Sequence, residues 1–279
     1  MTFEDPGYSQ SLGVKLLETA LQEFGPIFTL DQLKPVAKAQ QLSVAHLRVL
    51  ISSLASAGWI EIIKRGVYVV KSPLYAGDIP PYAVAAALMQ PMAISHWSAC
   101  SHHGFTTQVP IMIQASTPKK VITPEMRTGK AHRPRGRASW QAYGWEFEFI
   151  HVRAAIFWGF EKIWVNSWQQ VNITDLERTA LDLIARPDIF GGAAAAIEIL
   201  ENALPQVHLD RLVEYALKYD TGSVIKRLGW ALEKMGMPGV ELERLRIYPV
   251  KRYYPLDPNH ESGNRKDVRW QIYENLGRS

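Results

Sequence analysis

The sequence predicts an α+β protein in two parts: a small helical unit closed by a hairpin at residues 1–75, and a mixed α/β unit with a central sheet and a helical C-terminal half at 76–279. Three observations predict this. A helical period switches abruptly to strand-like runs between Gln41 and Val70. Ser72-Pro73 and Ile79-Pro80-Pro81 then interrupt both periods between Lys71 and Pro81. Beyond that break, strand patterns come first and helices dominate from Asp175 onward.

The elements of the first part follow in order. Leu12, Leu16, Leu17, Ala20, Leu21 and Phe24 recur at helical spacing, and Gly25-Pro26 ends the run. Thr29-Leu30-Asp31-Gln32 has the form of a capping box and opens a short helix ending near Ala39. Ser43 stands at the N-cap of a third helix whose apolar stripe is Leu47, Leu50, Ile51 and Leu54, with Gly58 as its stop. Trp59 to Ile63 and Val67 to Val70 read as strands, bent back by Lys64-Arg65-Gly66. Three helices and a hairpin with a basic tip describe an N-terminal winged helix-turn-helix, a module that offers its third helix to DNA.

With that stripe buried, the opposite face of the third helix carries Ala45, His46, Arg48, Val49 and Ser52. Arg48 can reach a guanine edge or a phosphate, and His46 and Ser52 can donate to either. Ser43, at the start of the helix, joins them as a DNA-binding candidate, and Lys64 and Arg65 at the hairpin tip suit phosphate or minor-groove contact. Winged modules also serve as protein-interaction domains, in which Arg48 would simply be solvated. Salt separates the two readings, because a duplex complex weakens with ionic strength and an apolar interface persists.

Net charge is +4, unevenly spread. Lys119, Lys120, Arg127, Lys130, Arg133, Arg135 and Arg137 face one acid, Glu125, within a single segment; its net of +6 leaves the rest of the chain near −2. Pro118, Pro124, Gly129, Pro134 and Gly136 disfavour regular structure there. The segment reads as a basic loop that clamps a phosphate backbone, or else as a solvated loop without a partner.

The remaining composition is that of a folded chain long enough for two cores: 47% hydrophobic and 21% charged residues. Cys100, the single cysteine, excludes an internal disulfide and a cysteine-based zinc site and fits a reducing cytoplasm. Neither a signal peptide nor a membrane span is expected, since no charged-then-apolar leader and no apolar run near 18 residues occurs.

In the second part, Tyr82 to Met89 reads as a helix, Ile94 to His103 as a short strand running into a helix, and Val109 to Ala115 as a strand. Gly144 to Val152 alternates Trp145, Phe147 and Phe149 against Glu146, Glu148 and His151, the pattern of a half-buried strand. Phe160 to Val165 and Gln170 to Thr174 read as a strand pair. Helices follow at Leu176 to Ala185, Ala193 to Ala203, Leu209 to Tyr219 and Ser223 to Met235, with a turn at Met235 to Gly239. Trp97, Trp158, Trp164 and Trp270 are read as core.

Three blocks in this part carry a family resemblance. Ile94-Ser95-His96-Trp97-Ser98-Ala99-Cys100-Ser101-His102-His103-Gly104-Phe105-Thr106-Thr107-Gln108-Val109-Pro110 resembles the "S-x-x-S-A-L…H-G-L-T…Q" block of the AbiEi-type antitoxin regulators of abortive-infection systems, with Cys100 where an aliphatic residue is expected. Asp175-Leu176-Glu177-Arg178-Thr179-Ala180-Leu181-Asp182-Leu183-Ile184, followed by Arg186-Pro187 and Gly191-Gly192, resembles that family's "E-R-T-L-[IL]-D" helix. Lys226-Arg227-Leu228-Gly229-Trp230-Ala231-Leu232-Glu233 is similar to a third block. The resemblance spans essentially the whole chain and is densest from Ile94 to Glu233. It implies a transcriptional regulator of a type IV toxin–antitoxin pair that represses its own promoter by binding inverted repeats of double-stranded DNA through the winged helix, an arrangement suited to two copies about a two-fold axis. It also implies a second domain that counters a nucleotidyltransferase-like toxin without a stable complex. Members of the family also stand alone, with no toxin gene beside them. Nothing in the sequence shows which residues would act on a toxin; Arg178, Asp182 and Arg227 are named as candidates.

An enzyme is the rival reading. His96, His102 and His103 lie close together, but no carboxylate lies in that run, so a helix cap and packing beside Gly104 suit them better than a metal. Glu177, Arg178 and Asp182 could form an acid/base group, or Arg178 and Asp182, four apart on one face, an ion pair. Glu146 and Glu148 share one strand face, as in a metal-dependent nuclease, without the neighbouring Asp and following Lys such a site wants. No phosphate loop, dinucleotide motif, nucleophile elbow or HExxH is present. The sequence therefore predicts no catalysis and no cofactor or metal.

Overall fold

The computed structural model describes residues 12–71, 73–129, 136–260 and 265–276. The first part folds as α1 (Leu12–Phe24), β1 (Ile27–Thr29), α2 (Leu30–Ala39), α3 (Val44–Ser56), β2 (Ile60–Lys64) and β3 (Val67–Val70). The capping box closes in both directions: Gln32 N donates to Thr29 Oγ1 at 3.2 Å, and Thr29 N donates to Gln32 Oε1 at 2.8 Å. Ser43 Oγ accepts from His46 N at 3.2 Å and starts α3. At the other end, Trp59 N donates to Leu54 O and Gly58 N to Ala55 O, with Gly58 at φ +76. This paired closure needs a left-handed residue, which glycine adopts without a Cβ penalty.

β1 is too short to declare a period in the sequence. It pairs antiparallel with β3, giving the sheet order β1-β3-β2. All four residues of β3 are buried, because the strand is covered on both faces. Tyr68 and Val70 pack with Phe28, Leu47, Ile51 and Leu54 against the helices. Val67 and Val69 point the other way and join Ile27 and Ile63 in a cluster with α4 (Pro81–Leu88) and the sheet of the second part. The two parts therefore share apolar packing, at about 25 cal/mol per Å² of surface removed from water.

The second part continues with β4 (Ala93–Ile94), α5 (His96–His102), β5 (Ile113–Thr117), a single turn α6 (Pro124–Arg127), β6 (Arg137–Ala142), β7 (Trp145–His151), β8 (Phe160–Trp164) and β9 (Gln170–Thr174). These strands form one mixed sheet in the order β6-β7-β5-β4-β9-β8, in which β5 runs parallel to β7 and β4 parallel to β9. Then come α7 (Leu176–Ala185), α8 (Ala193–Ala203), α9 (Leu209–Tyr219), α10 (Gly222–Lys234) and α11 (Gly239–Arg246), and a small sheet of β10 (Tyr254–Pro255), β11 (Arg265–Asp267) and β12 (Ile272–Glu274).

Several expectations are corrected. The strand expected at Val109 to Ala115 begins at Ile113, leaving Val109 and Ile111 exposed. β7 is not half-buried: it lies inside the sheet between β6 and β5, so Glu148 is enclosed along with Phe147, Phe149 and Ile150, and Trp145 at its start is exposed. The basic segment is not irregular throughout, since it holds α6 and enters β6 at Arg137. Trp164, read as core, is exposed on the edge strand β8, whereas Trp270 is fully buried. Trp270 also explains Gly229: a Cβ there would stand 2.0 Å from the indole, so no larger residue fits. No helix among the described residues is long and apolar enough to cross a membrane.

Candidate nucleic-acid interface

Leu47, Ile51 and Leu54 anchor α3 in the core of the first part, with Leu50 half-buried. Ala45, His46, Arg48, Val49 and Ser52 lie on the exposed side, and Val49 keeps 64% of its surface in solvent. Arg48 makes no ion pair among the described residues, and its charge is felt at Tyr68 on β3, which places it beside the hairpin. Burial raises the Tyr68 hydroxyl's pKa and Arg48 acts against that rise. Ser43 is already engaged as the N-cap, so its hydroxyl has a structural role first.

The hairpin tip divides its two cations. Arg65 is exposed. Lys64 turns toward the second part, where its Nζ donates to the carbonyl of Leu88, the last residue of α4, at 2.8 Å. An ammonium at a helix C-terminus satisfies an orphan carbonyl and meets the negative end of the helix dipole. Lys64 thus docks the hairpin on the second part through one of its three N–H donors, while its side chain stays exposed. Burial lowers its pKa first, and the charges of Lys119 and Arg127 lower it further.

The basic segment also divides. Lys119, Lys120 and Arg127 are exposed and make no ion pair among the described residues. Lys130, Arg133 and Arg135 lie outside the described residues. Arg137 is withdrawn: Nε stands 2.6 Å from Glu148 Oε1 and Nη2 2.9 Å from Oε2, while Gln114 Nε2 donates to Oε2 at 2.8 Å. The bidentate pairing engages Arg137 within the protein and sets a guanidinium against the carboxylate that suggested a nuclease. Glu146 accepts from Ser139 at 2.7 Å. Among the described residues no group of three or more His, Cys, Asp and Glu side chains could hold a metal ion.

The three candidates for action on a toxin are enclosed. Arg178 Nε meets Asp182 Oδ1 at 2.9 Å, Nη1 donates to the carbonyls of Ile156 and Trp158, and both side chains are nearly inaccessible. Arg227 is buried and donates to Pro255 O at 2.9 Å. Arg178 ties α7 to the segment before β8, Asp182 holds Arg178 within α7, and Arg227 ties α10 to β10, so all three offer little to an outside partner. The histidines separate as well. His96 is buried at φ +54 with Nδ1 2.8 Å from Ser95 Oγ, and His103 Nε2 lies 2.7 Å from Thr174 O, while His102 is exposed.

Against known proteins, the chain matches no family model and no curated protein. Among solved structures it is similar to the crystal structure of the RV2827C protein from Mycobacterium tuberculosis, with a TM-score of 0.63 and 17% identity over 94% of this chain and 91% of that one. At that identity the likeness is one of fold, and it extends across both parts.

Sequence reasoning missed the residues that join the parts. Trp168, between β8 and β9, packs on Gly25 after α1, and Tyr143 N donates to Glu61 Oε1 of β2 at 3.3 Å. No local signal marks these contacts, because their partners lie more than 80 residues apart in the chain.

Proposed function

We propose that the chain is a DNA-binding transcriptional regulator that reads duplex DNA with the exposed face of α3, the first part being a winged helix-turn-helix. The observation that carries this reading is the face itself. The stripe of α3 is packed, and His46, Arg48, Val49 and Ser52 stand together in solvent beside a hairpin with a basic tip. The order helix–strand–helix–helix–hairpin, with β1 added to the hairpin, agrees with that module. The three sequence blocks support the narrower reading of an AbiEi-type autorepressor and antitoxin, acting in the cytoplasm on inverted repeats of its own promoter. On that reading it counters a nucleotidyltransferase-like toxin without forming a stable complex. The engagement of Glu148 by Arg137 favours a binding protein over an enzyme.

The test is binding to labelled duplex from upstream of its own gene and to random duplex. Preference for the upstream duplex is expected, and Arg48→Ala should cost about 1–3 kcal/mol on that duplex alone. Equal binding of both duplexes would refute sequence-specific regulation. Binding to neither would move the module to protein interaction.

A further inference from the structure

We propose that Lys64, Lys119 and Arg127 form one cationic patch, where the β2–β3 hairpin meets the segment after β5, that takes backbone phosphates of the duplex read by α3. This rests on the DNA-binding reading above and extends the contact onto the second part of the chain.

The patch is built by packing. The segment from Leu88 to Pro91 is held from both sides: Lys64 Nζ donates to Leu88 O at 2.8 Å, and Thr117 Oγ1 donates to Pro91 O at 2.7 Å. Thr117 Oγ1 in turn accepts from Lys119 N at 3.2 Å, which fixes the chain at the first cation of the basic segment. Ile63, Leu88 and Val121 are buried in one apolar cluster, with Met126 packed against it. Lys64, Lys119 and Arg127 adjoin those anchors in sequence, so the cluster that joins the parts also gathers their charges.

The fold holds these like charges together without local compensation. None of the three makes an ion pair among the described residues, although Glu125 lies close by in sequence. Burial lowers the pKa of Lys64 first and the like charges of Lys119 and Arg127 lower it further, in keeping with the shared anchoring of the hairpin and the basic segment on Leu88 to Pro91. A polyanion relieves that repulsion, and each phosphate neutralised releases condensed counterions. Nucleic acid is favoured over an isolated anion by continuity: Arg65 is next to Lys64 in the hairpin, and Arg48 lies beside β3 of the same hairpin.

The test uses the full chain carrying Lys119→Gln and Arg127→Gln, both exposed positions whose replacement leaves the core untouched. The slope of log affinity against log salt should flatten by about 1.8, two contacts at about 0.9 each. Between about 50 and 200 mM salt the wild type should therefore lose roughly twelve-fold more affinity than the double variant, on upstream and random duplex alike. Preference for the upstream duplex should be retained by the double variant and reduced by Arg48→Ala. An unchanged slope in the double variant, with Arg48→Ala behaving as expected, would overturn the patch and leave the α3 reading intact. Failure of the wild type to bind any duplex would overturn both.

Discussion

Arg137 closes on Glu148 across the antiparallel pair β6 and β7, with two hydrogen bonds of 2.6 and 2.9 Å to a carboxylate buried inside the sheet. One contact thereby pairs the last cation of the basic segment with the acid that most resembled a nuclease carboxylate.

That pair predicts an outcome unlike that of its neighbours in sequence. Arg137→Gln should destabilise the fold by about 2–3 kcal/mol, below the usual cost of breaking a fully buried pair because the arginine is partly exposed. Adding Glu148→Gln should recover part of the loss. Urea unfolding checks the stability, and the salt slope of duplex binding should not move. A flattened slope would return Arg137 to the interface.

His96 predicts a pH dependence. Burial lowers its pKa to about 4, opposed by Asp182 and Glu148 and reinforced by Arg186 and Arg178. In the unfolded chain the imidazole titrates near 6.5. Between these values the unfolded state binds more protons, so the stabilising contribution is complete above about pH 6.5 and is lost as pH falls toward 4. Unfolding at pH 6.5 and 5.0 should show a fall about 1.6 kcal/mol larger in the wild type than in His96→Asn, a residue that tolerates the left-handed backbone at this position. Equal falls would show that His96 is not held neutral.

Gly25 and Trp168 predict how firmly the parts are joined. A Cβ on Gly25 would stand 2.7 Å from Trp168 Cγ, on a backbone at φ +78. Gly25→Ala should cost about 2–4 kcal/mol from steric conflict and left-handed strain together. In a Trp168→Ala background the indole clash goes and the cost should fall toward the backbone share of about 1–2 kcal/mol, with the Cβ of residue 168 still 3.0 Å away. The same cost in both backgrounds would mean that the indole does not hold this junction.

The helices α7, α8 and α9 were legible in the sequence to the residue because their signals are local. Asp175 caps α7 through Arg178 N, and each helix carries an apolar stripe of its own. The hairpin and the strand pair β8–β9 were legible from their bounding turns. β1, β10, β11 and β12 were not, since two or three residues hold no measurable period and acquire strand geometry only from a partner. α11 follows Pro238 with a weak stripe, and its last carbonyls depend on Lys226 of α10, a contact that spacing does not reveal. Of the candidate site, the exposed face of α3 was legible because burying Leu47, Ile51 and Leu54 fixes the opposite side of the helix.

The sequence by itself determined where the main helices begin and end, which side of α3 faces solvent, and that an excess of positive charge lies between residues 119 and 137. Only the tertiary structure decided which of those charges are free. Lys119, Arg127 and Arg137 read alike along the chain, yet Arg137 faces Glu148 across a strand pair, while Lys119 and Arg127 are exposed with no carboxylate partner among the described residues. Helix signals act over one or two turns, whereas ion pairs form over a few ångströms between segments that packing alone brings together.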